Sequence, residues 1–289
     1  MGTSLVSNES SPPAAPMGCM EVWGGAGPRQ CSLERPGLDI WVSSLSANEH
    51  QRGGGDLHLV SSCASGRITR LLMADICAGG EGFAELSNDL RSLMKRNVNR
   101  LGQNACVAGM SKSLADASEH GCFASSLLAT YFSPRRSLTI CNAGHPPPLL
   151  FRDAEKAWIA LSGSISDSGE THSDTVLRST EYHEVQTRLS VGDVLLYYSG
   201  SLVECVDAHS DLLGIAGIRK LAERLVLDGT ERLAARLLSE VQATNPRILE
   251  AGDATVIVCR ATKRAVGWKA NLLAPLRMFR RVADQVTFL

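Results

Sequence analysis

Three consecutive prolines, Pro146, Pro147 and Pro148, stand at the centre of this chain within Asn-Ala-Gly-His-Pro-Pro-Pro-Leu-Leu-Phe. No helix can run through them. Each proline lacks an amide donor, and each forces the residue before it into an extended backbone. The run therefore reads as an extended passage into a strand, with helical sequence confined to either side. Before it, Phe83, Leu86, Leu90, Leu93, Met94, Val98 and Leu101 recur at three- and four-residue steps, the mark of an amphipathic helix. Val107, Met110 and Leu114 mark a weaker one. After it, residues 215–227 and 231–241 repeat the helical spacing. Strand-like runs separate these helices. Asp56 to Val60 and Ile68 to Asp75 form a hairpin around Ser-Ser-Cys-Ala-Ser-Gly-Arg. Phe123 to Phe132 and Leu138 to Cys141 follow, then Val185 to Leu189 with Val194 to Tyr198 as a further pair, and last Thr255 to Cys259. Antiparallel hairpins with segregated helix pairs predict an α+β layered sandwich rather than a parallel α/β sheet.

The ends differ from the middle. Residues 1–18 are rich in Ser, Pro and Ala and read as a flexible tail, and residues 19–262 as one domain. From 260 to 289 seven basic residues face a single acid, Asp284, a net +6 in a chain whose total is −1. In 263–289, Leu272, Leu273, Leu276, Phe279, Ala283 and Val286 share one helical face. This basic amphipathic extension reads as a helix docked on its own domain, or as a contact for an acidic partner or an anionic membrane surface. The near-neutral total supplies no general field for nucleic acid. No stretch reaches the roughly 20 apolar residues of a membrane helix, and the N-terminus shows neither a secretory leader nor, with Val6 where Ser or Thr is needed, a myristoylation signal. Nine cysteines without a Cys-x-x-Cys pair give no zinc or disulfide framework. The expected compartment is the cytoplasm.

Four places offer chemistry. Asp56 heads one strand of the hairpin and Asp75 closes the other, so both carboxylates converge on one sheet edge, a hard oxygen site suited to Mg²⁺ or Mn²⁺. Strand-end aspartates also cap turns and helices, and spacing alone favours that plainer role. Asp253 opens the last strand and reaches for the same edge. His145, beside the prolines, suits a packed structural residue better than a catalytic one. Asp193, in Ser-Val-Gly-Asp, fits a turn that bonds its own backbone. Ser199 lies in no nucleophile elbow, and Asp75-Ile-Cys-Ala-Gly-Gly-Glu-Gly lacks the Lys-Ser/Thr of a phosphate-binding loop.

Taken in order, Gly-Gly-Asp at 54–56, Leu-Leu-Met-Ala-Asp-Ile-Cys-Ala-Gly-Gly at 71–80, Asn-Ala-Gly-His-Pro-Pro-Pro at 142–148, Leu-Ser-Val-Gly-Asp at 189–193 and Gly-Asp-Ala-Thr at 252–255 resemble the SpoIIE/RsbU branch of PPM-type serine/threonine protein phosphatases over about residues 20–262. The resemblance implies a four-layer αββα sandwich with two Mn²⁺ or Mg²⁺ ions at one end of its sheets, and a water between them that attacks a phosphoserine. Carried over, Asp56 and Asp75 are metal ligands and catalytic acids, the carbonyl of Ile76 completes one site, and Gly144 and His145 form a structural corner. Three positions depart from the family pattern. Its D-V-S-G-H-G histidine is here Gly79, the aspartate of T-D-G is Gly200, and the first aspartate of D-D-x-T is Gly252. Glycine offers no side-chain oxygen, so one or no ion is expected unless Asp253 or Glu250 substitutes. The resemblance thus leaves three functions open. One is an impaired phosphatase that binds a phosphoprotein regulator of the anti-sigma-antagonist type, one an active enzyme with substitute ligands, and one a scaffold.

Overall fold

The computed structural model describes residues 21–47, 55–62, 66–77, 80–119, 123–162, 183–206, 212–245 and 248–265. The expected N-terminal tail, the extension from residue 266 onward and Gly79 lie outside these residues.

Two six-stranded antiparallel sheets stack face to face. Sheet one holds β1 (Val22–Gly25), β4 (Asp56–Ser62), β5 (Ile68–Cys77), β6 (Phe123–Phe132), β7 (Ser137–Ala143) and β10 (His183–Arg188), in that spatial order. Sheet two runs β2 (Arg29–Arg35), β3 (Leu38–Leu45), β12 (Ala254–Ala261), β11 (Val194–Tyr198), β8 (Leu149–Arg152) and β9 (Ala157–Ala160). The facing layer is apolar from both sides, with Val60, Leu71, Met73, Ile140, Tyr197 and Ile257 among its members.

Strand parity builds the outer layers. Leu57, Leu59, Leu72, Ala74 and Ile76 turn away from the inter-sheet space and meet α1 (Gly80–Asn97) and α2 (Asn104–Glu119) through Phe83, Leu86, Leu90 and Met110. Leu196, Tyr198, Val256 and Val258 do the same in sheet two, against α4 (Gly214–Leu225) and α5 (Thr230–Thr244). The short helices α3 (Gly200–Glu204) and α6 (Ile248–Ala251) flank the start of β12. Central strands covered on both faces read as continuous apolar runs, which is why β5 and β12 stood out in the sequence. The four-layer α+β sandwich is the expected one.

One expectation about strands needs correction. Residues 185–189 and 194–198 do not pair with each other: β10 pairs with β7 in sheet one, and β11 with β12 and β8 in sheet two. The turn between them is a crossing. Asp193 accepts the Ser190 amide (2.9 Å), the Asp153 amide (3.1 Å) and the Arg152 guanidinium (2.8 Å), which binds the crossing chain to the β8–β9 turn of sheet two. Three further strands precede Asp56: β2 is an edge strand whose Arg-Gln-Cys-Ser-Leu-Glu-Arg carries no apolar run, whereas β3 lies inside sheet two with Leu38, Ile40, Trp41 and Val42 buried.

Candidate metal centre

In the β4–β5 register Asp56 stands opposite Asp75. Since Leu57, Ala74 and Ile76 face the helices, both aspartates point the other way, into the end of the inter-sheet space. Asp56 is buried at 3% exposure and Asp75 is half-buried. Sheet two brings hydroxyls to the same end. The amide of Ser199, just past β11, donates to the Thr255 carbonyl (3.0 Å), and the Thr255 amide donates to Ser199 Oγ (2.9 Å). Ser201 Oγ lies 3.1 Å from Ser199 Oγ and donates to the Asp253 carbonyl at 2.5 Å.

Asp253 reaches this rim, but its oxygens serve the backbone. Oδ1 accepts the Ala47 amide (2.8 Å) and Oδ2 the amide of Asp56 (3.5 Å). It therefore ties the end of β3 to the start of β4. Its charge still acts on the pair beside it. Burial first, then the charge of Asp75, with Asp253 adding, push the Asp56 carboxyl well above the usual carboxylate range, and the neighbouring Thr255 and Ser199 hydroxyls pull it back only in part. Asp75 is raised to about 6 by burial and by the charges of Glu204 and Asp253.

Asp56 Oδ2 is buried without a hydrogen-bond partner, and so is Thr255 Oγ1. A buried carboxylate that faces a second carboxylate with an orphaned oxygen is costly, unless a proton or a cation joins it. Beside Asp75 the backbone comes close to Gly55. A Cβ built on Gly55 would sit 3.2 Å from the Ile76 carbonyl oxygen and 3.4 Å from Asp75 Oδ1, so these two oxygens flank one bare glycine face. The Ile76 amide donates back to the Gly55 carbonyl at 2.6 Å, fixing that face. The donor set is all oxygen and suits one Mg²⁺ or Mn²⁺. Among the described residues, no three His, Cys, Asp or Glu side chains converge at metal-holding spacing.

The glycine positions differ from one another. A Cβ on Gly200 would lie 3.1 Å from Asp75 Oδ2, so position 200 abuts the carboxylate pair. Gly252 has φ +145° and open space around an added Cβ. Its backbone has settled into a region that L side chains rarely adopt.

His145 is not part of the carboxylate cluster. Its amide donates to Asn142 Oδ1 (2.8 Å), Asn142 Nδ2 donates to its carbonyl (2.8 Å), and its Nδ1 lies 3.0 Å from Ser125 Oγ. Burial lowers its pKa to about 4, with the Tyr198 backbone working against that shift. Gly144 bridges to Ser126 in sheet one at φ +70°, and the Tyr198 hydroxyl donates to the Pro147 carbonyl (2.7 Å). The corner thus laces the sheets together beside the rim. Sequence reasoning missed Ser199, Thr255 and Glu204 as neighbours of the acid pair. The alternation along β11 and β12 carried the signal for the first two.

Residues 68–262 match the family model of stage II sporulation protein E, SpoIIE. A search of curated protein sequences gives no match. Among solved structures, the chain is similar to the RsbU and RsbW domains of a Mycobacterium tuberculosis protein, at 21% identity and a TM-score of 0.62, over 80% of this chain and 63% of that one. It thus spans less than two thirds of that protein's length. It is similar also to the phosphatase domain of Bacillus subtilis SpoIIE (16% identity, TM-score 0.59, 81% of this chain and 97% of that one). RsbX, solved in complex with magnesium, matches at 13% identity and a TM-score of 0.57, over 81% of this chain and 100% of that one.

Proposed function

The chain belongs to the SpoIIE family of PPM-type phosphatase domains, and from that premise we propose that it is an impaired member, a pseudophosphatase that binds a phosphorylated regulator protein and turns it over slowly or not at all. The observation that carries this reading is position 200, where the family pattern places a carboxylate and this chain has a glycine on which an added Cβ would lie 3.1 Å from Asp75 Oδ2. Asp56, Asp75 and the Ile76 carbonyl would hold one Mn²⁺ or Mg²⁺. Such an ion, when bound, polarises water and neutralises phosphoryl oxygens, and the family's pair does so from two sides. The chain's own residues do the rest. Asp253 ties the end of β3 to the start of β4 through the Ala47 and Asp56 amides, Ser199 and Thr255 lock the ends of β11 and β12, and the His145 corner holds the sheets at the spacing this requires. Asp56 and Asp75 stay protonated to higher pH than ordinary carboxyls, so metal and proton compete for them.

Each missing carboxylate removes a charged contact worth about 1.5–3 kcal/mol. Two such losses fall on the second metal position, which retains only Asp75. The partner, a phosphoprotein of anti-sigma-antagonist type, follows from the family resemblance, and the cytoplasmic setting from the cysteine usage and the sequence of the N-terminus. No described helix is long and apolar enough to cross a membrane. A second reading, an active enzyme working through one ion, draws support from the intact Asp56–Asp75 pair.

The test is hydrolysis of a phosphoserine peptide with Mn²⁺ by wild type, Gly200→Asp and Asp75→Ala. Wild type should run near background and Gly200→Asp above it. Robust wild-type turnover that Asp75→Ala abolishes would overturn the impaired reading in favour of the active one.

A further inference from the structure

The end of the sandwich opposite the acid pair carries a cleft of about 550 Å³. Arg67, which begins it, precedes β5, while Asp75 lies eight residues along the same strand; at about 3.3 Å per residue the two ends are roughly 26 Å apart. Four cations line the cleft, Arg67, Arg136, Lys263 and Arg264, with Phe132 and Ser133 among the remaining lining and no acidic residue. Arg264 already holds Glu34 and Asp39 at 3.0 and 2.9 Å.

The walls are pinned by backbone bonds between separate turns. The Ser133 amide donates to the Arg67 carbonyl (2.9 Å), the Thr262 amide to the Gly37 carbonyl (3.0 Å), and the Leu189 amide to the Arg136 carbonyl (2.9 Å). Arg136 itself is held at φ +50°, a left-handed backbone that non-glycine residues seldom adopt. That backbone belongs to the last position of the β6–β7 hairpin turn, as at Lys156 in the β8–β9 turn, and it sets Arg136 at the edge of a concave, cation-lined space of a size to take a small molecule.

We propose that this cleft is a binding site for a phosphate monoester, distinct from the carboxylate rim, with Arg136 and Lys263 as its principal anion contacts. Guanidinium groups engage phosphoryl oxygens two at a time, and an ammonium adds a mobile point charge. A carboxylate ligand would satisfy fewer of the donors. The phosphate can arrive free in solution or on a lipid headgroup, and the chemistry at the cleft is the same. The proposal stands whether or not the opposite rim hydrolyses anything.

Two arms test it, both with the full chain in EDTA to silence the acid rim. In the first, calorimetry follows glycerol 3-phosphate, a soluble phosphate monoester, at low salt. In the second, the protein is sedimented with phosphatidylcholine vesicles with and without phosphatidic acid. Saturable glycerol 3-phosphate binding without vesicle binding identifies a soluble ligand, and sedimentation only with phosphatidic acid identifies a lipid. In either case Arg136→Gly/Lys263→Ala should weaken binding at least tenfold, and Asp75→Asn should leave it unchanged. Arg136→Gly alone suits the left-handed backbone, so its thermal midpoint should hold while affinity falls. Absence of binding in both arms, binding indifferent to the double substitution, or binding lost in Asp75→Asn would overturn the proposal.

Discussion

Two aspartates, both almost fully buried, sit at opposite ends of this sandwich. Asp193, at 1% exposure, receives the Arg152 guanidinium and two backbone amides. Asp56, at 3%, faces Asp75 and leaves Oδ2 without a partner. One burial is balanced by the fold itself, and the other is left to a proton or a cation. The difference separates scaffold from site more sharply than burial or residue type does, because a buried anion is tolerated only where donors or a cation surround it.

The largest effect should come from breaking the balanced end. Asp193→Ala leaves Arg152 and two amides without their acceptor and should cost about 3–5 kcal/mol in urea denaturation. Asp56→Asn should do the opposite in metal-free protein, raising stability because it removes a repelling charge. If both substitutions destabilise to a similar degree, the contrast fails.

Next in size is the metal. Asp56→Asn or Asp75→Asn should each weaken Mn²⁺ binding by about 1.5–3 kcal/mol, roughly ten- to a hundredfold, in calorimetric titration. Two tight Mn²⁺ sites in wild type would show that unrecognised donors complete the rim. The two glycines sharpen the point further. Gly200→Asp adds a carboxylate against Asp75 and should strengthen Mn²⁺ binding. Gly252→Asp should instead lose about 1–2 kcal/mol of stability to its left-handed backbone, with little gain in affinity. Equal gains from both would mean that the backbone at 252 relaxes freely.

The smallest effect is a pH slope. Asp75 binds its proton more tightly folded, at about 6, than unfolded, at 3.8. Its stabilising contribution is therefore complete below about 4 and lost as pH rises toward 6. His145, lowered from 6.5 to about 4, acts in the reverse sense, subtracting stability as pH falls through that interval. The difference between wild type and Asp75→Asn in metal-free thermal midpoints isolates the first slope. Asp75 is half-buried, so solvent screening keeps it shallow. Saturating Mn²⁺ should erase it, and a wild-type profile parallel to that of Asp75→Asn would place Asp75 outside the repelling cluster.

Much of this was legible in advance. The α1 periodicity, the apolar runs of β5 and β12 and the proline barrier gave the layers, since each is a local pattern that burial on one or two faces imposes. The pairing of Asp56 with Asp75 followed from hairpin register. The crossing at Asp193 did not, because the donors that hold it, Arg152 and Asp153, lie some 40 residues earlier in the chain. Nor did the surroundings of Asp56, which come from three strands in two sheets.

The amino-acid order alone determined which segments extend or coil, which face of each is apolar, and that positions 79, 200 and 252 bring no side-chain ligand. Tertiary structure decided which polar groups find partners: that Asp253 is spent on the Ala47 and Asp56 amides, that Gly200 abuts Asp75 while Gly252 has turned its backbone, and that Asp56 keeps an unanswered oxygen. The reason is range. Periodicity and steric exclusion act between neighbours in the chain, whereas the satisfaction of a buried charge depends on groups that only folding brings within 3 Å.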